Sequence, residues 1–135
     1  MEEKNTKIVI TFGTFDLFHI GHLRLLKRAK SYGNRLVVGV SSDSLNVAKK
    51  AKKPIIPQHH RMEIIKAISG VDEVFVEESL KLKPDYIKKY KADILVMGND
   101  WEGKFDDLNS LCQVVYLKRT QNISTSYLLD YIVNR

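Results

Sequence analysis

A chain of 135 residues with 44% apolar and 28% charged residues, seven Gly and three Pro has the make-up of one soluble globular domain, which argues against disordered, fibrous and two-lobed architectures. Its single cysteine, Cys112, excludes an intrachain disulfide and a multi-cysteine zinc site. Twenty-two Lys and Arg against 16 Asp and Glu leave a net charge of +6, a field that favours anionic partners such as nucleotides, phosphorylated metabolites, RNA or a membrane surface.

The charged start, Met1-Glu2-Glu3-Lys4-Asn5, has none of the apolar core of a signal peptide, and no stretch approaches the roughly 20 apolar residues of a membrane span. A cytoplasmic protein without membrane contact is therefore expected. Residues 7–12, KIVITF, are a short β-branched run closed by Gly13 and predict a buried strand. Over 21–31, Leu23, Leu26 and Ala29, preceded by Ile20, recur every third position with Leu25 beside them, the stripe of an amphipathic helix that stops near Gly33 and Asn34. A second strand is predicted over 35–40, followed by a turn and the basic loop Lys49-Lys50-Ala51-Lys52-Lys53. Met62, Ile64, Ile65 and Ile68 give helical spacing over 57–69, ended by Gly70. Strand 71–76, helix 82–90 with Pro84 in its first turn, strand 94–97 before Gly98, strand 114–117 and helix 124–133 complete the chain.

Strands alternate with helices throughout, and the strand runs lack strict two-residue alternation, as both-face burial requires. The expectation is a single Rossmann-like α/β domain over residues 1–135, a doubly wound parallel five-stranded sheet with helices on both faces. Ligands of such sheets bind beyond the carboxyl ends of the strands, which directs attention to 13–22, 41–53, 98–106 and 119–126.

In the first of these, GTFDLFHIGH, two histidines three apart, His19 and His22, sit at the start of a helix whose N–H groups and dipole attract phosphate. Gly21 between them lets an anion approach the backbone. Zinc would need three or four ligands. Asp16 could at most supply the third, and the spacing suits a phosphate cradle better, so metal ligands stay unassigned. In the last segment Arg119 stands five residues before Ser124, so a guanidinium, hydroxyls and a helix start converge on the same crevice. Trp101, after the fourth strand, can stack on a base or wall a pocket. Asp16 and Asp100 could organise a divalent cation such as Mg2+ on phosphates. No basic stripe interleaved with aromatics is present, so nucleic acid is not an expected partner.

The segment GTFDLFHIGH resembles the H-x-G-H signature of the cytidylyltransferase branch of the nucleotidyltransferase superfamily, and residues 119–126, RTQNISTS, resemble its second signature, R-T-x-G-I-S-T-[ST]. Residues 98–106, GNDWEGKFD, are similar to the glycerol-3-phosphate cytidylyltransferases, and the likeness runs over essentially the whole chain. The resemblance implies transfer of CMP from CTP to glycerol 3-phosphate or another phosphorylated alcohol, such as ethanolamine phosphate or ribitol phosphate, with Mg2+, in a cytoplasmic homodimer whose product feeds teichoic-acid or capsular polymer synthesis. It implies nucleotide binding by Thr14, Phe15, Asp16, His19, Gly21, His22, Lys49, Asp100, Arg119, Thr120, Ile123, Ser124 and Thr125. Of these, His19, His22, Lys49 and Arg119 are the implied catalytic groups, and Lys52, Arg61 and Trp101 are the candidates for the acceptor. Three positions depart from the pattern: Gln121 and Asn122 stand where the signature often has Glu and Gly, and Ser69 stands where relatives carry a second arginine. Asn tolerates left-handed backbone angles, so the turn at 122 is expected to survive. His59 and His60 are read as a solvated pair at a helix start.

Overall fold

The computed structural model describes residues 6–135; the charged segment 1–5 lies outside the described residues. Five strands form one all-parallel sheet in the order β3-β2-β1-β4-β5. They are β1 (Ile8–Gly13), β2 (Arg35–Ser41), β3 (Glu73–Glu77), β4 (Ile94–Gly98) and β5 (Gln113–Leu117). The helices are α1 (Ile20–Lys30), α2 (Asp43–Lys50), α3 (Gln58–Lys66), α4 (Lys83–Tyr90) and α5 (Thr125–Val133).

The apolar runs at the centre of the sheet are buried on both faces, which is why they read as continuous rather than alternating. On one face Leu26 and Ala29 of α1 and Ile65 of α3 pack against Val9, Leu36, Val38 and Val96. On the other, Ile87 of α4 and Leu108 of a 3-10 turn pack against Ile10, Val37 and Leu95. Each such Val, Leu or Ile side chain, removed from water, contributes about 1.5–3 kcal/mol. The winding reverses between β1 and its neighbour β4, so Gly13 and Gly98 end side by side at the mouth of a crevice. This places the segments 13–22, 41–53, 98–106 and 119–126 at one edge of the sheet.

Two local expectations change. The basic run is not a plain loop, because residues 43–50 form α2, capped by the Ser42 hydroxyl accepting the Leu45 N–H at 2.9 Å. That helix turns only Leu45 and Asn46 inward; one apolar contact makes no stripe, so periodicity misses it. The helix predicted over 57–69 is shorter, and the chain turns at Ala67 towards Gly70, whose φ is 96°. Among the described residues no helix is long and apolar enough to cross a membrane.

Candidate active site

The reversal point opens into a cleft of about 900 Å³, within the range of pockets that hold small molecules. It is lined by the turn after β1, the α2 end and following strap, the 98–101 segment and the 118–126 segment. Of the expected residues, Thr14, Phe15, Asp16, His19, Gly21, His22, Lys49, Lys52, Asp100, Trp101, Arg119, Thr120, Ile123, Ser124 and Thr125 all line it. Arg61 and Ser69 do not line it.

The histidine turn is built by reciprocal capping. His19 is the N-cap of α1, and its Nδ1 accepts the Gly21 N–H at 3.0 Å, while the His19 N–H donates to Nδ1 of His22 at 3.1 Å. The two rings stack at 3.8 Å between centroids. A neutral imidazole that accepts at Nδ1 carries its proton on Nε2, so each ring keeps an Nε2–H donor for a ligand. Burial, then the neighbouring His19, pushes the His22 pKa down to about 4 against a smaller opposing pull from Asp16. Burial and the charge of Arg119 lower His19 too, and that coupling ties Arg119, from the far end of the chain, to the histidine pair. A Cβ on Gly21 would meet the His19 ring at 2.8 Å, so glycine here makes room for the ring itself as well as for a ligand.

The turn leading to this pair is strained: Phe15 and Leu17 have φ of 57° and 49°, left-handed values that cost bulky residues about 1–3 kcal/mol each. Burial of Phe15 against the core and its edge contact with His22 at 5.5 Å hold it there. Asn122 has φ of 64° in the arginine segment, the left-handed angle its side chain tolerates. Arg28 of α1 holds that segment by donating from Nη1 to the Lys118 carbonyl at 2.8 Å.

Arg61, expected at the acceptor, is instead 1% exposed. Its Nε donates to the Ile56 carbonyl at 2.9 Å, Nη1 to the Thr14 and Ser41 carbonyls at 2.8 Å each, and Nη2 to the Asp43 carboxylate at 2.7 Å. With those donors committed to the fold, it ties α3 to the ends of β1 and β2. Ser69, where the resemblance implies an arginine, follows the other end of α3, just before the Asp72 N–H bonds the Leu36 carbonyl at the start of β2. It therefore lies at the sheet edge opposite the cleft.

Asp16 also departs from its expected role as a ligand or cation carboxylate, because its oxygens accept the N–H groups of Leu17, Ile55 and Ile56 at 3.1, 2.8 and 2.9 Å. The Thr125 hydroxyl is likewise committed, donating to the Asp16 carbonyl at 2.8 Å. Among the described residues no three His, Cys, Asp or Glu side chains converge on a metal position. Asp100, exposed at the cleft rim, remains as a carboxylate for a cation. A single carboxylate suits Mg2+, which keeps most of its water and phosphate ligands, and does not suit a zinc cage.

Sequence reasoning missed a buried ion pair in the cleft wall: Lys83 bonds Glu77, with the two side chains 3% and 1% exposed. Ser41 donates to the other Glu77 oxygen at 3.2 Å, and the Lys83 ammonium lies 4.4 Å from the Phe12 ring centroid. Burial lowers the Lys83 pKa, with Glu77 opposing. Burial, then the neighbouring Lys50, lowers Lys49 as well, again against Glu77. One signal was available: Lys83 opens α4, where the helix dipole disfavours a cation.

Comparison with known proteins adds the following. A model of the cytidylyltransferase-like family matches residues 10–131. The chain is 48% identical over 126 residues to the glycerol-3-phosphate cytidylyltransferase of Bacillus subtilis (strain 168), covering 93% of this chain and 97% of that one. It is 45% identical over 120 residues to the enzyme of the same name from Staphylococcus aureus (strain NCTC 8325 / PS 47), covering 89% and 90%. Among solved structures, the lipopolysaccharide core biosynthesis protein from Thermoplasma volcanium GSS1 superposes with a TM-score of 0.74 at 26% identity, over 86% of this chain and 99% of that one.

Proposed function

The chain belongs to the cytidylyltransferase-like family, and from that premise we propose that it transfers CMP from CTP to glycerol 3-phosphate, giving CDP-glycerol and pyrophosphate. The observation that carries the reading is the shared cleft of His19, His22 and Arg119. An oxygen of the acceptor phosphate attacks the α-phosphorus, the bond from that phosphorus to the oxygen bridging to the β-phosphorus breaks, and pyrophosphate leaves. Such in-line displacement needs positioning and charge neutralisation rather than a covalent nucleophile.

His19 and His22 supply neutral Nε2–H donors to the triphosphate oxygens where negative charge accumulates. Preorganised donors of this kind are worth roughly 2.7–4 kcal/mol of barrier each. Arg119 and Lys49 bring cationic charge, and the segment from Thr120 through Ile123 and Ser124 to Thr125 brings the N-terminus of α5, whose unbonded N–H groups face anions. Mg2+ carried by the triphosphate, beside Asp100, would add charge neutralisation to theirs.

Trp101 and Lys52, which line the same cleft, are the groups assigned to the acceptor, and the Lys83–Glu77 pair lies in the cleft wall. Both groups line the cleft, and the Lys83 ammonium, with donors beyond its bond to Glu77, is the group of the pair that can reach the acceptor phosphate. The cytoplasm and a homodimer belong to the same proposal, on the strength of the resemblance alone.

The purified protein, given CTP, Mg2+ and a panel of phosphorylated alcohols, should release pyrophosphate and form CDP-glycerol with glycerol 3-phosphate. Faster turnover with ethanolamine phosphate or ribitol phosphate would reassign the acceptor, and equal use of ATP would defeat the cytidine specificity.

A further inference from the structure

Asp16 is the point at which three separate parts of the cleft are tied. Its carboxylate Oδ2 accepts the Ile55 N–H at 2.8 Å, and Oδ1 accepts those of Ile56 and Leu17 at 2.9 and 3.1 Å. Its carbonyl accepts the Thr125 hydroxyl, 109 residues away in sequence. The histidine turn, the strap carrying Lys52 and Lys53, and the start of α5 therefore meet on one residue that is 8% exposed. Between Lys52 and Ile56 the bonds that hold the strap go to Asp16 and, through the Ile56 carbonyl, to Arg61.

The placement is costly for an anion site. A carboxylate here repels the phosphates the surrounding cations attract, and a neutral residue would spare that repulsion. Only a carboxylate, however, can accept three peptide N–H groups at once; an asparagine amide would turn its NH2 towards one of the donors. We propose that Asp16 is a positioning residue, its carboxylate latching the lysine strap to the histidine turn so that the groups around the triphosphate are held in place before nucleotide arrives. This rests on the nucleotidyltransferase reading above. Lysines on a free strap would lose the advantage of preorganisation, since each long side chain and its backbone would be ordered at the expense of binding.

Two measurements test it. Hydrogen exchange on the unaltered protein should find the Ile55 and Ile56 amides protected while the adjacent Lys52 and Lys53 amides exchange freely. Exchange of all four at the same rate would overturn the latch, whatever a variant does.

The second is a double-mutant cycle in the Kd for CTP between Asp16→Asn and Lys53→Ala, Lys53 being the strap lysine that lines the cleft without an acceptor role. Lys53→Ala should weaken CTP binding by about fivefold in the normal background and by less than about twofold when Asp16 is already Asn, because the strap is then no longer held. Equal losses in both backgrounds would show that Asp16 does not act through the strap. Because the cycle reads CTP binding alone, failure of glycerol 3-phosphate as acceptor leaves it intact. A protein that binds no CTP at all overturns the nucleotidyltransferase reading, and hydrogen exchange still decides the latch.

Discussion

His22 is a histidine made to stay neutral. Stacked on His19 at 3.8 Å and half-buried, it has its pKa pushed down to about 4, so at pH 7 it can donate from Nε2 without bringing a charge that would change with pH. The sign of the linkage follows. In the unfolded chain His22 takes up a proton near pH 6.5, whereas in the fold it does so near 4. Its contribution to stability is therefore complete above pH 6.5 and is lost as the pH falls towards 4, by up to about 3 kcal/mol. Urea titrations across that window should show this slope in the native protein and a flatter one in His22→Ala. The same variant, still folded at pH 7.5, should turn over about a hundredfold more slowly; near-normal turnover would remove His22 from the chemistry. The pair was legible in sequence because its spacing, its glycine and its helix start are local features. The opposite holds for Arg61 and Asp16, whose partners, Leu17 apart, lie from 5 to 109 residues away. The resemblance implied ligand contacts for both, and only tertiary structure reveals the backbone groups that claim them.

At the level of elements, the strands of the sheet centre could be read because β-branched runs buried on both faces leave a dense apolar signature. What could not be read is how helices are fastened to their ends. The start of α3 is attached through Arg61, which collects carbonyls from Thr14, Ser41 and Ile56 and the carboxylate of Asp43 in α2. Asp43 and Gln58 bond reciprocally, each backbone N–H to the other's side chain, at 3.0 and 3.2 Å, so α2 and α3 start as one unit. Replacing Arg61 with Met keeps much of the volume but strands buried carbonyls and a carboxylate. The expected loss is on the order of 3 kcal/mol of folding stability, read as a fall in denaturant midpoint. An acceptor contact would behave differently, raising KM for glycerol 3-phosphate at unchanged stability, and that outcome would return Arg61 to the substrate.

For the whole molecule, the net charge of +6 raises the question of whether the overall field or the cleft recruits the nucleotide. Lys49, Lys50, Lys52, Lys53, Lys118 and Arg119 all line the cleft, while Lys66, Lys88 and Lys89 are exposed elsewhere, on α3 and α4. At physiological ionic strength charges more than about 8 Å apart in solvent are largely screened, whereas a cleft with low-dielectric walls focuses the field of its own lining. Exchanging Lys66, Lys88 and Lys89 for Glu brings the chain from +6 to zero, since each exchange removes two units. It should nevertheless change kcat/KM for CTP by less than about twofold at 0.15 M salt. Removing only two units inside the cleft, through Lys50→Ala and Lys53→Ala together, should lower kcat/KM by about tenfold, and the loss should shrink as salt rises. The reverse ranking would mean that total charge, and not the arrangement at the sheet's reversal point, brings the triphosphate to its site.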